Sequence, residues 1–259
     1  MGKLFDLLKD HGLVDSQCEL SKCIEERMTA EKYIEKCIKA EVGQYIEEEF
    51  DPYAEVPDNF IGNFNGVTIR TNKYASKVIN GGADVNILSR AEYATVINSG
   101  DKATIMSTDG TIVNSGDECI IGGLNVKDIV DSGMKTQIVS TRDFASIVTN
   151  GYNPRIISTG ESTNIICNSH VAYVNSEGRY ANIVCNGYAC TVKAKLGSTI
   201  TLSECRSTKN GEIHHRRTEK VDGVKIKADK WYQLRGNEFV ETIPGENDEV
   251  CPEYSSDNG

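Results

Sequence analysis

An aliphatic residue returns every nine positions across half of this chain. It stands at Ile69, Val78, Ile87, Val96 and Ile105, then at Ile112 and Ile120, and from there at a strict spacing of nine through Ile129, Ile138, Ile147, Ile156, Ile165, Val174, Ile183 and Val192. Two steps are shorter, of seven and eight residues. Nine is no multiple of the α-helical period, and the repeats carry Gly, Asn, Ser and Thr where a helix favours Ala, Leu and Glu. A short repeat that buries one branched residue and then turns is the pattern of a β-solenoid.

Let the recurring Ile or Val be position 1. Position 8 is small (Ala94, Ala103, Cys119, Ala145, Ala172, Ala181, Cys190), and position 3 is small and mostly polar. Alternate residues of a strand share a face, so positions 8, 1 and 3 are assigned inward and positions 9 and 2 outward. A second period of 18 overlies the first. In every other repeat position 5 is Gly (Gly82, Gly100, Gly116, Gly133, Gly151, Gly187, with Ser169 interrupting), and position 3 is Asn80, Asn98, Asn114 or Asp131. The alternate repeats carry Ser89, Ser107, Ser140, Ser158 and Ser176 at position 3. Two unlike halves imply two strands and two corners per coil, with the glycines expected at corners that need φ > 0. The fold class is mainly β: a two-sided β-solenoid of about 18 residues per coil, seven to eight coils, standing roughly 35–40 Å tall. The short steps predict a tightened coil and a local bend.

The flanks differ from the repeat. Residues 1–50 read as an α-helical N-terminal segment. Ser16 and Glu19 have capping-box spacing, and Leu20, Cys23, Ile24 and Met28 follow on one face. Tyr33, Ile34, Cys37, Ile38, Val42, Tyr45 and Ile46 form the stripe of a second helix that ends before Asp51-Pro52. Residues 51–66 read as a linker, 67–202 as the solenoid, 203–243 as a small β C-terminal cap, and 244–259 as a disordered acidic tail. In the cap, Trp231–Leu234 and Glu238–Glu241 flank Arg235-Gly236-Asn237, a hairpin signal.

Charge separates along the same boundaries. The net charge of -10 divides into -8 for residues 1–60, +3 for 61–243 and -5 for 244–259. A near-neutral solenoid makes direct nucleic-acid binding unfavourable and confines any nucleic-acid mimicry to the acidic N-terminal helices. No apolar run is long enough to span a membrane, and Met1–Asp6 does not open a secretory signal. The nine cysteines include no CxxC pair, so reduced thiols in the cytoplasm are expected rather than a zinc site. Cys167 and Cys185, 18 apart, should stack as a thiol ladder.

The repeat unit Thr95-Val96-Ile97-Asn98-Ser99-Gly100-Asp101-Lys102-Ala103 resembles those of short-repeat (nonapeptide-like) β-solenoid proteins of bacteriophages and prophages of gut bacteria. The run Val221-Asp222-Gly223-Val224-Lys225-Ile226-Lys227, with Trp231-Tyr232 and Gly236–Val240 after it, is similar to their C-terminal module. The resemblance spans about 67–243. It implies the solenoid fold and a phage source, and it implies no activity.

The residues supply no carboxylate pair, Ser/His/Asp arrangement or phosphate-cradling loop, so no catalytic, cofactor-binding or metal-ligating residue is assigned and no enzyme is expected. Calcium is disfavoured because Asp101 and Asp117 share position 6 with Ala83, Met134, Tyr152, His170 and Tyr188. Three candidate surfaces remain. The first is the outward position-2 column Ile79, Ile97, Val113, Val130, Val148, Ile166 and Val184, a face for a partner, for a second copy in a homodimer, or for the N-terminal helices. On the opposite face that position reads Arg70, Leu88, Met106, Ile121, Val139, Ile157, Asn175 and Lys193. The second surface is the acidic set Glu47, Glu48, Glu49 and Asp51. The third is an anion contact at His214, His215, Arg216 and Arg217, against which stands a plain solvated loop. These features lead to the expectation of a non-enzymatic, phage-encoded binding protein in the cytoplasm of a bacterial host, inhibiting a defence complex by an anti-CRISPR or related action. The alternatives are a structural virion or tail component and a nucleic-acid mimic.

Overall fold

The computed structural model describes residues 59–72, 74–208 and 211–244. The helical reading of residues 1–50, the acidic set Glu47–Asp51 and the tail from residue 245 lie outside the described residues. The described chain alternates between two ten-stranded sheets. Sheet 1 holds the odd strands: β1 Asn59–Gly62, β3 Lys77–Asn80, β5 Thr95–Asn98, β7 Gly110–Asn114, β9 Val126–Asp131, β11 Ser146–Thr149, β13 Asn164–Cys167, β15 Asn182–Cys185 and β17 Thr199–Thr208, closed by β18 Gly211–Lys220. Sheet 2 holds the even ones: β2 Thr68–Thr71, β4 Asn86–Ser89, β6 Thr104–Ser107, β8 Ile120–Gly123, β10 Gln137–Ser140, β12 Arg155–Ser158, β14 Tyr173–Ser176 and β16 Thr191–Ala194, closed by β19 Trp231–Arg235 and β20 Glu238–Glu241. The coils pair in parallel and in register, as Val78↔Val96 and Ile147↔Ile165 illustrate. The two-sided solenoid of about 18 residues per coil is thus observed. Its first strand, β1, falls inside the stretch read as linker.

The four-residue strands bury positions 8, 1 and 3 as the pattern requires. Val78, Ile87, Val96, Ile105, Ile138, Ile147, Ile165 and Ile183 expose nothing to solvent. Branched side chains with one favoured rotamer suit this site, because each sits between like neighbours one coil above and below.

The corners correct the reading of the glycines. The left-handed conformation falls at position 7, not position 5, and it is held by ordinary residues: Ala75, Asp84, Tyr93, Lys102, Phe144, Ser162, Tyr180 and others, at φ of 53 to 60°. Glycine takes that place at Gly66 in the first coil, and Gly197, at position 6 of the shortened step from Val192 to Ile200, is also left-handed. What offsets the strain is a ladder across coils. The N–H of most left-handed residues donates to the position-6 carbonyl of the next coil, as in Lys135 to Tyr152 (2.7 Å) and Phe144 to Glu161 (2.8 Å), while that of Tyr93 donates to Asp109 Oδ2 (3.2 Å). The position-5 glycines serve close approach instead. A Cβ on Gly100 would lie 1.8 Å from the Gly82 carbonyl oxygen, and one on Gly151 1.9 Å from that of Gly133.

The register also corrects one rung. Ile121, not Ile120, occupies position 1: it pairs with Ile105 and Ile138 and is fully buried, whereas Ile120 points outward and is 44% exposed. Two adjacent isoleucines hid the shift. The small Cys119, two residues before Ile121 as position 8 must be, was the discriminating signal. Gly122 therefore fills the outward position 2 on sheet 2 where Ile121 was expected. The short steps become Ile105 to Ile112 and Ile121 to Ile129. Both remove residues from corners that lead from sheet 2 to sheet 1, so the solenoid is indented along one edge. Gly110, at φ 96°, and a bulge opposite Gly110 and Thr111 absorb the loss.

The last coil ends in two antiparallel hairpins. β17 starts in register with β15, then runs on and returns as β18. β19 adds to β16 antiparallel and turns into β20, which confirms the Trp231–Glu241 hairpin. The Glu204 carboxylate ties the two together, accepting hydrogen bonds from the Gly236 N–H (2.9 Å) and the Asn237 N–H (3.0 Å). Parallel pairing stops there, which closes the end of the solenoid.

Candidate functional site

Sheet 1 presents the outward column. Position 2 alternates with buried neighbours in each strand, so register alone places Ile79, Ile97, Val113, Val130, Val148, Ile166 and Val184 in one line. The line is not uniform. Ile79 and Ile97 are only 5% and 9% exposed and pack with Ile61 and Val113, whereas Val130 is 37% exposed. The accessible part therefore begins at Val113. Its flanks are short and uncharged apart from Asp128: Thr95, Thr111, Ser146, Asn164 and Asn182 on one side, Ser99, Ser115, Ser132, Asn150, Asn168 and Asn186 on the other. The asparagines hydrogen-bond along the solenoid axis, Asn186 to Asn168 and Asn168 to Asn150 at 2.7 Å each and Asn182 to Asn164 at 2.8 Å. The face is flat, apolar along its midline and held in place by its own side-chain ladders.

Sheet 2 carries a more varied outer face, with Met106, Val139 and Ile157 about 40% exposed. Near the cap, Arg155, Ile157, Tyr173, Asn175, Trp231 and Pro244 line an open groove of about 440 Å³. The Arg155 guanidinium lies 5.7 Å from the Tyr173 ring centroid, and the Lys193 ammonium 5.1 Å from that of Trp231. Sequence reading singled out Trp231 as part of a hairpin and of the C-terminal module, not as part of a groove. The groove needs residues from three strands and the segment after β20, which no local pattern links.

Inside sheet 1 the position-3 residues form a buried polar column. Asn80 donates to Asn98 Oδ1, Asn98 to Asn114 Oδ1, and Asn114 to Asp131 Oδ1, each at 2.7 Å. Each asparagine Nδ2 also donates to the carbonyl of the glycine two residues on: Gly82, Gly100 and Gly116. Asp131 breaks the pattern. Its Oδ2 occupies the place of the amide nitrogen, is buried, and has no donor. Burial pushes the carboxyl up to about 6, against hydrogen bonds from Asn114 and the Gly133 N–H that favour the charged form. Beyond it Thr149, Cys167 and Cys185 continue the column, with Thr149 Oγ1 donating to Cys167 Sγ at 3.1 Å. The expected Cys167–Cys185 stack is present; both thiols are free and fully buried. Hydrogen bonding with Cys167 and Cys190, together with burial, pushes the Cys185 thiol well up, whereas hydrogen bonding with Cys185 and Cys190 lowers the Cys167 thiol, and both lie wholly buried in the column.

The basic cluster is not a single site. It lies in β18, not in a loop, and strand alternation sends His214 and Arg216 to one side and His215 and Arg217 to the other. Arg217 is engaged by Glu219 Oε1 (2.9 Å) and the Asn237 carbonyl (2.7 Å). The position-6 carboxylates stitch successive coils together. Asp101 accepts from the Asp117 N–H and Asp117 from the Met134 N–H, each in the next coil. Among the described residues no group of three or more His, Cys, Asp or Glu side chains is placed to hold a metal ion. No helix among them is long and apolar enough to cross a membrane. No protein-family model matches the chain, and no curated protein or solved structure matches it.

Proposed function

We propose that this chain is a non-enzymatic binding protein that works through the outer face of sheet 1 between Val113 and Val184. Its target is a protein of a bacterial host, a defence complex such as a CRISPR effector, which it inhibits by contact. The observation that carries the reading is the aliphatic midline Val113, Val130, Val148, Ile166, Val184, partly exposed on a flat sheet whose flanks are short, almost uncharged side chains. Such a face has little to hold a polar small ligand but much to offer a flat apolar partner surface, and its rigid backbone lowers the ordering cost of association. The resemblance to phage solenoids and the reduced thiols support the bacterial setting. The test is co-purification of tagged protein from hosts carrying several defence systems, alongside Val130→Lys and Val148→Lys. A specific partner that the lysine variants lose, while they melt like the parent, supports the reading. Failure to recover any partner, or retention of it by both variants, overturns it.

A homodimer is the second reading, favoured by the same column because a straight aliphatic line is complementary to itself under a two-fold axis. Light scattering after size exclusion separates the two: the parent would be dimeric and Val148→Lys monomeric.

A further inference from the structure

The groove on sheet 2 has the features of an occupied site. Asn175 donates through Nδ2 to Glu177 Oε1 at 3.0 Å, but its Oδ1 is buried and has no donor. Arg155 and Lys193 face the Tyr173 and Trp231 rings, and neither forms an ion pair with a described carboxylate. A missing donor and two uncompensated cations beside aromatic walls call for an occupant with N–H groups and negative charge.

The path of the chain indicates which occupant. From β20 to Pro244 it stays on the molecule. The Thr242 N–H donates to the Trp231 carbonyl at 2.9 Å, and two residues later Pro244 is part of the groove wall. The residues that follow, Gly245-Glu246-Asn247-Asp248-Glu249-Val250, carry three carboxylates and no cation. At about 3.3–3.6 Å per extended residue, Glu246 to Glu249 can reach roughly 7–18 Å from Pro244, which is itself part of the groove wall.

We propose that the acidic segment from Gly245 docks in this groove as a strap. Its backbone N–H groups supply the donor that Asn175 Oδ1 lacks, its carboxylates meet Arg155 and Lys193, and it covers the face of sheet 2 beside Trp231. This surface is distinct from the face assigned to the partner above, so the two proposals stand or fall separately.

Trp231 is the only tryptophan and reports the groove directly. Ending the chain at Pro244 should shift its emission to the red and raise the acrylamide quenching constant roughly twofold, because the ring loses a covering layer. The full-length variant Glu246→Lys, Asp248→Lys, Glu249→Lys should show the same change with unaltered circular dichroism. So should the parent in 0.5 M NaCl, where screening shortens to about 4 Å. Adding residues 245–259 as a peptide should reverse the change in the shortened chain. Equal emission and quenching in the parent, the shortened chain and the triple variant would overturn the proposal. Protection of Trp231 that depends on protein concentration would overturn it too, by making a second copy the occupant.

Discussion

Asp131 stands where the three rungs before it place asparagine, and that single atom change sets a pH dependence. The folded carboxyl is raised to about 6 from an ordinary value of 3.8. The protonated form can donate from Oδ2 as asparagine does. Stability from this group is therefore complete below pH 3.8 and is lost as pH rises through about 6. Asp131→Asn should raise stability at pH 7.5 by about 1–3 kcal/mol and change it little at pH 4, as urea melts at the two pH values would show. The corners give a second contrast at this scale. Gly151→Ala puts a Cβ against the Gly133 carbonyl and should cost about 2–4 kcal/mol, since backbone of a neighbouring coil cannot yield. Phe144, left-handed at φ 57° and 76% exposed, should instead tolerate asparagine with a gain of about 0.5–1 kcal/mol. Thermal midpoints of the two variants, moving in opposite directions, would check the assignment of close approach to position 5 and of the left-handed turn to position 7.

At the scale of elements, the strands are too short to be stable alone, and what fixes each is the one stacked on it. The cap obeys a different logic. Its two hairpins belong to different sheets and are tied by Glu204, which accepts two backbone N–H groups of the β19–β20 turn. Glu204→Ala leaves those donors without a partner. It should lower stability by about 2 kcal/mol and alter the Trp231 emission before the solenoid unfolds, as parallel fluorescence and far-UV dichroism melts would reveal. Pattern reading found the β19–β20 hairpin from its Gly-Asn turn. It did not find the longer β17–β18 hairpin, because Thr199–Thr208 continues the repeat at its start and carries no break until the turn. For the same reason His214–Arg217 read as one basic patch, when the strand splits it in two.

For the whole molecule, stability is a sum over neighbouring coils, so whole coils are interchangeable units. Deleting residues 146–163 removes one strand of each sheet and joins Ala145 to Asn164, a small inward residue to an outward one, as Ala145 now joins Ser146. That protein should fold, with a melting transition close to the parent's. Deleting only residues 146–154 shifts every later strand to the other sheet and sets the Ser-type half above the glycine corner. It should not fold cooperatively, as calorimetry of the two deletions would show. The longer deletion also removes Arg155 and Ile157 from the groove at the cap, so the shorter solenoid should hold the strap less tightly than the parent.

Coil length, the inward column and the two unlike halves were legible in the residues alone, because a one-dimensional stack repeats the same local environment in every coil. So was the thiol stack, since equal positions 18 apart must meet. What lies between coils emerged only in the folded chain. Whether Ile120 or Ile121 enters the core depends on pairing with Ile105 and Ile138, and the need for glycine at position 5 comes from a carbonyl one coil below. The burial of Ile79 beside the exposure of Val130, and the assembly of Arg155, Tyr173, Asn175 and Trp231 into one groove, depend on residues far apart in the chain. Local pattern fixes what each strand turns inward; contacts across coils fix what the surface can do.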